Sequence, residues 1–126
     1  MDDEAQANDV FLRGRISTAP TVRSLPSGDS VLTFRLVVRR EQPSPMTRES
    51  RQVSDWVDCS VWGGRVRASA TGWCEGDEVS VRGALRRRFY RTPAGSATRL
   101  EVEVLSGKRL RRAGVGASQS VRAQAR

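Results

Sequence analysis

Short runs in which apolar and polar residues alternate dominate this 126-residue chain and restrict its possible folds more than any other feature. Alternation with a period of two is typical of β-strands that have one buried and one exposed face. In VLTFRLVVR, for example, Leu32 and Phe34 alternate with Thr33 and Arg35. The chain is therefore predicted to be all-β. The five runs of this kind are residues 10–16, 31–39, 55–62, 78–90 and 98–105.

Clusters rich in Pro, Gly and Ser separate the runs, and only one connector suits a short helix. This connector, RVRASATGW, lies between the third and fourth runs, and its Trp73 is expected to pack the helix region onto the sheet. Five short strands with one helix between strands 3 and 4 match the plan of an OB-fold, a Greek-key barrel, although barrels with other strand orders give similar patterns. We expect this domain over residues 1–105 and a basic, disordered tail without periodicity over residues 106–126.

The net charge of +8 indicates a polyanionic partner, but residues 106–126 hold six basic residues and no acid, which leaves +2 for the rest. The chain has no histidine, the commonest general base and metal ligand. Cys59 and Cys74 are too far apart for a CxxC motif, and free buried thiols are expected, with a disulfide as the alternative. These features predict no catalytic residue, no metal and no cofactor.

An enzyme remains the alternative to test against that prediction. Glu101 and Glu103 lie two residues apart on one strand face, and Asp55 is close to Asp58 in sequence. Paired carboxylates could hold magnesium in a nuclease. Nothing else supports such a site, and the two glutamates also suit an exposed strand that faces arginines. Metal-dependent cleavage of single strands would distinguish the two.

The location of the protein is also constrained by hydropathy. No apolar run approaches the roughly 20 residues of a membrane span. The N-terminal sequence MDDEAQAND is acidic, where a signal peptide begins with basic residues. We expect a cytoplasmic protein with no membrane partner.

The stretch GALRRRFYR, residues 83–91, contains four arginines and no acid. In a strand, Arg86, Arg88 and Tyr90 share one face, and two cations beside a ring suit an anion that carries flat bases. Arg87 and Phe89 point the other way, where Phe89 suits the core and Arg87 requires a bulge or a position at the barrel end. The alternative is a solvated edge strand, because arginines also protect edges.

Trp56 and Trp62 fall on the polar side of the third run, opposite Val57. Rings in that position are available for base stacking, although an oligomer interface would also use exposed tryptophans. Arginines on the polar faces of the runs are candidates for contacts with phosphates or bases. They are Arg35, Arg39, Arg82, Arg86 and Arg88.

In their joint order and spacing, the motifs of residues 8–105 resemble the bacterial single-stranded DNA-binding proteins. The motifs are NDVFLRGRI, SGDSVLTFRLVVRR, SDWVDCSVWGG, EGDEV, VRGALRRRFY, TPAGSA and RLEVEV. The resemblance implies an OB-fold that assembles as a homotetramer and binds single-stranded DNA during replication, recombination or repair. It also implies base stacking on the rings of the DW strand and of the R-R-aromatic run, here Trp56, Trp62 and Tyr90.

Three departures from that family stand out. EQPSPM replaces a loop that often carries an aromatic residue, and Asp58 lies on the face that should meet DNA. The chain ends in SVRAQAR and not in the family's acidic tip, so recruitment of replication proteins through such a tip is not expected. An OB-type module that binds RNA or docks a protein is the alternative function, and competition between DNA and RNA of one sequence distinguishes it.

Overall fold

The computed structural model describes residues 6–41 and 53–114. These residues form five strands and one helix, and the helix lies between the third and fourth strands, as predicted from the sequence. The far part of the predicted tail, residues 115–126, lies outside the described residues. The elements are β1 (Val10–Ser24), β2 (Ser30–Arg39), β3 (Ser54–Val61), α1 (Gly64–Ala70), β4 (Glu78–Thr92) and β5 (Gly95–Arg111).

The strands close into a barrel in the order β1–β2–β3–β5–β4. The first part of β1, residues 10–15, pairs antiparallel with β4, and its later part pairs antiparallel with β2. Strands β3 and β5 pair in parallel over three residues, which joins the two ends of the sheet. This topology confirms the prediction of an OB-type five-stranded barrel.

Strand β1 continues to Ser24, although the sequence predicted its end at Ile16. The segment after Ile16 contains Pro20, and a proline cannot donate a hydrogen bond to the sheet. The pairing with β2 is irregular on both sides of Thr18, where two register shifts occur. Such bulges accommodate the proline and bend the strand, so that β1 can pair with β4 and then with β2.

The barrel interior is filled mostly by the alternate apolar residues that the sequence pattern predicted, but Leu85 and Leu100, which the pattern put on the same faces, are 42% and 47% exposed. Trp73 closes one end, is 5% exposed and packs edge-to-face on Phe34 with 5.6 Å between ring centres, which confirms its role as an anchor. Helix α1 has seven residues, and no helix in the described part of the chain is long and apolar enough to cross a membrane. Fully buried apolar side chains include Ile16, Leu32, Leu36, Val61, Val79, Val81 and Val102.

Two glycines permit the close backbone approaches of a small barrel. A Cβ atom on Gly83 would collide with the carbonyl oxygen of Glu103, and one on Gly14 would collide with that of Val37. Gly83 is also the last residue of β4 that pairs with β1. Glycine at this position therefore lets β4 bend away from the barrel.

Beyond the barrel, residues 87–100 form a two-stranded arm in which β4 pairs only with β5. Phe89 is 75% exposed on this arm, so the prediction that it joins the core is wrong. Leu100, which is paired with Arg87 and so lies on the same side of the arm, is 47% exposed as well. Arg87 is exposed there as well and donates to Thr98 Oγ1 at 3.1 Å, and the register shifts of the β4–β5 pair lie elsewhere.

Strand β5 also extends further than predicted, to Arg111, so the expected domain boundary after Leu105 falls inside this strand. Asp77 holds the chain after β5 in place. Its carboxylate accepts hydrogen bonds from the amides of Cys74 and Ala113 at 2.8 Å each. Arg109 donates to the same carboxylate at 3.3 Å. The sequence pattern missed this end of β5 because bulges opposite Glu78 and Arg82 break its alternation.

Candidate nucleic-acid interface

Three aromatic rings lie on the outer surface of the barrel and the arm. Trp56 lies in β3, Trp62 directly follows it, and Tyr90 lies near the end of β4. Their exposed fractions are 59%, 37% and 44%. Cys59 and Val61 of β3 point into the core, and strand alternation therefore turns the two tryptophans outward. The rings are thus accessible to a flat ligand.

Each of these rings has an arginine over it. The guanidinium carbons of Arg35, Arg88 and Arg99 lie 3.9, 5.2 and 5.4 Å from the ring centres of Trp56, Trp62 and Tyr90, respectively. Cross-strand register produces the first contact, because Arg35 lies opposite Asp58, two residues along β3 from Trp56. Contacts of this length are cation–π interactions.

Three carboxylates lie among these arginines. The parallel β3–β5 register sets Asp58 opposite Glu101 and Ser60 opposite Glu103. Glu101 is 6% exposed, although the sequence suggested an exposed strand, and it does face arginines as expected. We call this set the arginine–ring face. Its members are Arg35, Arg86, Arg88, Arg99, Asp58, Glu101, Glu103, Trp56, Trp62 and Tyr90.

Three arginines of the face donate their Nε–H group to a carboxylate. Arg35 donates to Asp58 at 3.1 Å. Arg86 donates to Glu103 at 2.8 Å, and Arg88 donates to Glu101 at 2.9 Å. Within residues 6–41 and 53–114, no Nη group of these three arginines makes a hydrogen bond. The Nη groups of Arg35 and Arg86 are therefore available to a ligand, whereas Nη2 of Arg88 also lies 3.7 Å from Oε1 of Glu103.

Arg99 is the fourth cation of the face and has weaker contacts. Its nearest carboxylate atoms belong to Asp58 at 3.9 Å and Glu101 at 4.0 Å. Its Nε atom is buried without a hydrogen-bond partner in the described part of the chain. Arg99, Arg35, Asp58 and Glu101 also line a groove of about 300 Å³.

The structure brings most of the predicted site residues together. Arg35, Arg86, Arg88 and the three rings meet on the arginine–ring face. Arg82 differs, because it pairs with Asp9 at 3.0 Å and lies over the ring of Phe11 at 5.1 Å, on the β1 side. Arg39 is exposed at the end of β2, opposite Ser54, and lines a second groove with Phe11.

Sequence reasoning missed Arg99 as a site residue, although it expected Glu101 and Glu103 to face arginines and offered an arginine partner for Asp58, both of which the structure shows. Alternation does put Arg99, Glu101 and Glu103 on the polar side of β5. Their importance comes from cross-strand register, which sets Arg99 opposite Arg88 and Glu101 opposite Arg86. A single sequence does not contain that register.

The two cysteines are both free but differ in burial. Cys59 is free and buried, and its burial, followed by the charge of Asp58, raises its pKa to about 12. Cys74 is free but exposed, which contradicts the expectation that both thiols are buried. The described residues contain no cluster of three His, Cys, Asp or Glu side chains that could hold a metal ion.

The closed five-stranded barrel with one helix between β3 and β4 defines the class of OB-type barrels. The model of the single-strand binding protein family matches residues 7–110. The chain belongs to this family, as its motifs indicated.

Individual relatives agree with this assignment. Single-stranded DNA-binding protein 2 of Listeria innocua is 30% identical over 88 residues, which are 70% of this chain and 54% of the relative. Single-stranded DNA-binding protein A of Bacillus subtilis is 32% identical over 89 residues, or 70% of this chain and 49% of the relative. The chain thus spans about half the length of these relatives.

A solved structure described as the Plasmodium falciparum SSB complex with ssDNA has a similar fold. Its TM-score is 0.66 at 25% sequence identity. The match covers 87% of this chain and 98% of the other. The similarity therefore extends over nearly all of that domain.

Proposed function

We propose that this chain binds single-stranded DNA with little base preference through the arginine–ring face, and that it does so without catalysis. The observation that carries the proposal is the grouping of three partly exposed rings, each beside a guanidinium, on one side of the barrel. Membership of the single-strand binding protein family supports it, as does the similarity to an SSB described in complex with ssDNA.

In this proposal, bases stack on Trp56, Trp62 and Tyr90. Every base has a π-face, so stacking tolerates any sequence, and each stacked base contributes about 1–3 kcal/mol. A base can extend an existing ring–guanidinium stack, because an arginine plane is itself a stacking surface. The free Nη groups of Arg35 and Nη1 of Arg88 then contact phosphates between the stacked bases.

Arg39 and Arg82 are proposed to extend the path of the bound DNA beyond the arginine–ring face. Arg39 follows Arg35 on the same side of β2, since the two are four residues apart in one strand. Arg82 precedes Arg86 on the same side of β4 in the same way. A longer strand would therefore encounter both after it occupies the three rings.

We further propose assembly as a homotetramer and a role in protecting DNA during replication, recombination or repair, in the cytoplasm at the nucleoid. Exposed apolar side chains away from the rings support assembly, since large apolar groups on a surface are common at interfaces. Among them are Phe11 of β1 and Phe89 and Leu100 of the arm.

Fluorescence titration with a thymidine homopolymer tests the binding. Quenching of tryptophan emission that saturates at a fixed ratio of nucleotides to protein is the expected result. Light scattering on the same samples measures the assembly, and a mass of four chains is expected. Equal affinity for duplex DNA would overturn the proposal, and stronger binding of an RNA of the same sequence would favour the alternative RNA-binding function.

A further inference from the structure

The arginine–ring face is nearly neutral, although it is rich in arginine. Four guanidinium groups and three carboxylates leave a single net positive charge. The carboxylates lie beneath the guanidinium groups. The side chains of Asp58 and Glu101 are 19% and 7% exposed, whereas that of Arg35 is 41% exposed. A bound strand would therefore meet the arginines first, with their counter-charges directly behind them.

We propose that Asp58, Glu101 and Glu103 act as internal counterions that set the strength and the salt dependence of strand binding on this face; this inference rests on the proposed function. They accept the Nε–H groups of Arg35, Arg86 and Arg88, which leaves Nη groups of these arginines for a phosphate, although Nη2 of Arg88 also lies 3.7 Å from Glu103. They also oppose the phosphate charge, because they remain within a few ångströms of it after binding.

The salt dependence of binding gives this idea a magnitude. Each phosphate neutralised by a protein cation contributes about −0.7 to the slope of log affinity against log salt for single strands. Four independent arginines would contribute about −2.8, whereas a face with one net charge contributes about −0.7. The affinity should then come mainly from stacking and change little with salt.

Amide substitutions separate the charge of these residues from their geometry. Asp58→Asn and Glu103→Gln remove the negative charge but keep an oxygen that accepts the Nε–H bond. Each variant is therefore expected to bind a thymidine homopolymer about two- to fivefold more tightly at low salt. The slope should become more negative by about 0.7 for each variant and by about 1.4 for the double variant.

Glu78→Gln is the matched control. Glu78 accepts an Nε–H bond from Arg13 at 2.9 Å, and its side chain is 18% exposed, against 21% for Glu103. Its partners lie in β1 and at the end of β5, away from the three rings. Glu78→Gln changes the net charge equally, but it should leave the affinity and the slope close to those of the unaltered protein.

The experiment measures affinity by fluorescence titration at several salt concentrations, with thermal melts of every variant. If Asp58→Asn does not fold, the salt slope of Glu103→Gln alone tests the proposal, because the side chain of Glu103 is slightly more exposed than that of Asp58. An unchanged slope in Glu103→Gln, or an equal change in Glu78→Gln, would overturn the internal-counterion role while the unaltered protein still binds. If no form binds single strands, the proposed function fails, and this inference fails with it.

Discussion

The guanidinium carbon of Arg35 lies 3.9 Å from the centre of the Trp56 ring, and its Nε–H group is bonded to Asp58. One side of the ring is therefore covered by a cation that the protein itself holds in place. The ring is still 59% exposed, so its other side and its edge remain open. A base that stacks on the open side would place the indole between two planar partners.

Replacement of Trp56 with alanine should weaken single-strand binding by about 1–3 kcal/mol, because one stacked base is lost. Titration of both proteins with the same oligonucleotide measures this difference. Val53→Ala is the control, since Val53 is a neighbouring apolar residue that is also exposed. If Trp56→Ala instead dissociates the oligomer and leaves binding per subunit intact, Trp56 belongs to an interface.

The adjacent residues Arg86 and Arg87 of β4 should differ in their effect on DNA binding. Arg86 lies on the arginine–ring face and pairs with Glu103, whereas Arg87 is exposed on the opposite side and bonds Thr98. Arg86→Gln should weaken binding several-fold and make the salt slope less negative by about 0.7, and Arg87→Gln should change neither much. Affinity at several salt concentrations measures both. Equal effects would contradict strand alternation in GALRRRFYR.

Asp77 should stabilise the fold in a pH-dependent way. Burial opposes ionisation of its carboxyl, but hydrogen bonds from the amides of Cys74 and Ala113 and from Arg109 outweigh burial and lower its pKa. A lowered pKa contributes stability that is present above the unfolded value of about 3.9 and is lost as pH falls through the folded pKa. Asp77→Asn should cost about 1–3 kcal/mol at pH 7.

Urea denaturation of the Asp77→Asn variant at pH 7 and at decreasing pH measures this contribution. The difference from the unaltered protein should shrink below about pH 4. Asp29→Asn is the control, because Asp29 is an exposed turn residue. A difference that is constant with pH would show that geometry, and not charge, is responsible.

The two cysteines should differ in reactivity. The thiolate is the reactive form, and burial raises the pKa of Cys59 to about 12, whereas Cys74 is exposed. At pH 8, iodoacetamide should label Cys74 in the folded protein and Cys59 only after denaturation. Mass spectrometry of peptides measures the labelling. Rapid labelling of Cys59 in the folded protein would mean that the barrel opens near this residue.

Much of the fold could be predicted, because one face of each strand is buried and alternation records which face that is. Leu32, Leu36 and Val61 lie in the core as the period of two requires. The prediction was wrong for Phe89, because alternation continues into the arm, where the side chains on the inward side are exposed. The alternation pattern alone could not distinguish a strand whose apolar face is buried from one whose apolar face is exposed.

The candidate site was only partly predictable for a related reason. Trp56 and Trp62 could be assigned to the surface because they follow the opposite phase from the buried residues of β3. The contacts of Arg99 could not, because they depend on which residues of β3 and β4 lie beside it. Long-range register arises from barrel closure, not from any local pattern.

The parallel pairing of β3 with β5 has a consequence for folding. It sets Asp58 directly opposite Glu101, and like charges in this position repel each other. Arginines from β2, β4 and β5 compensate this repulsion, and they reach the two acids only when those strands are in place. We therefore expect closure of the barrel and assembly of the arginine–ring face to be coupled during folding, so that substitutions that loosen the face also accelerate unfolding.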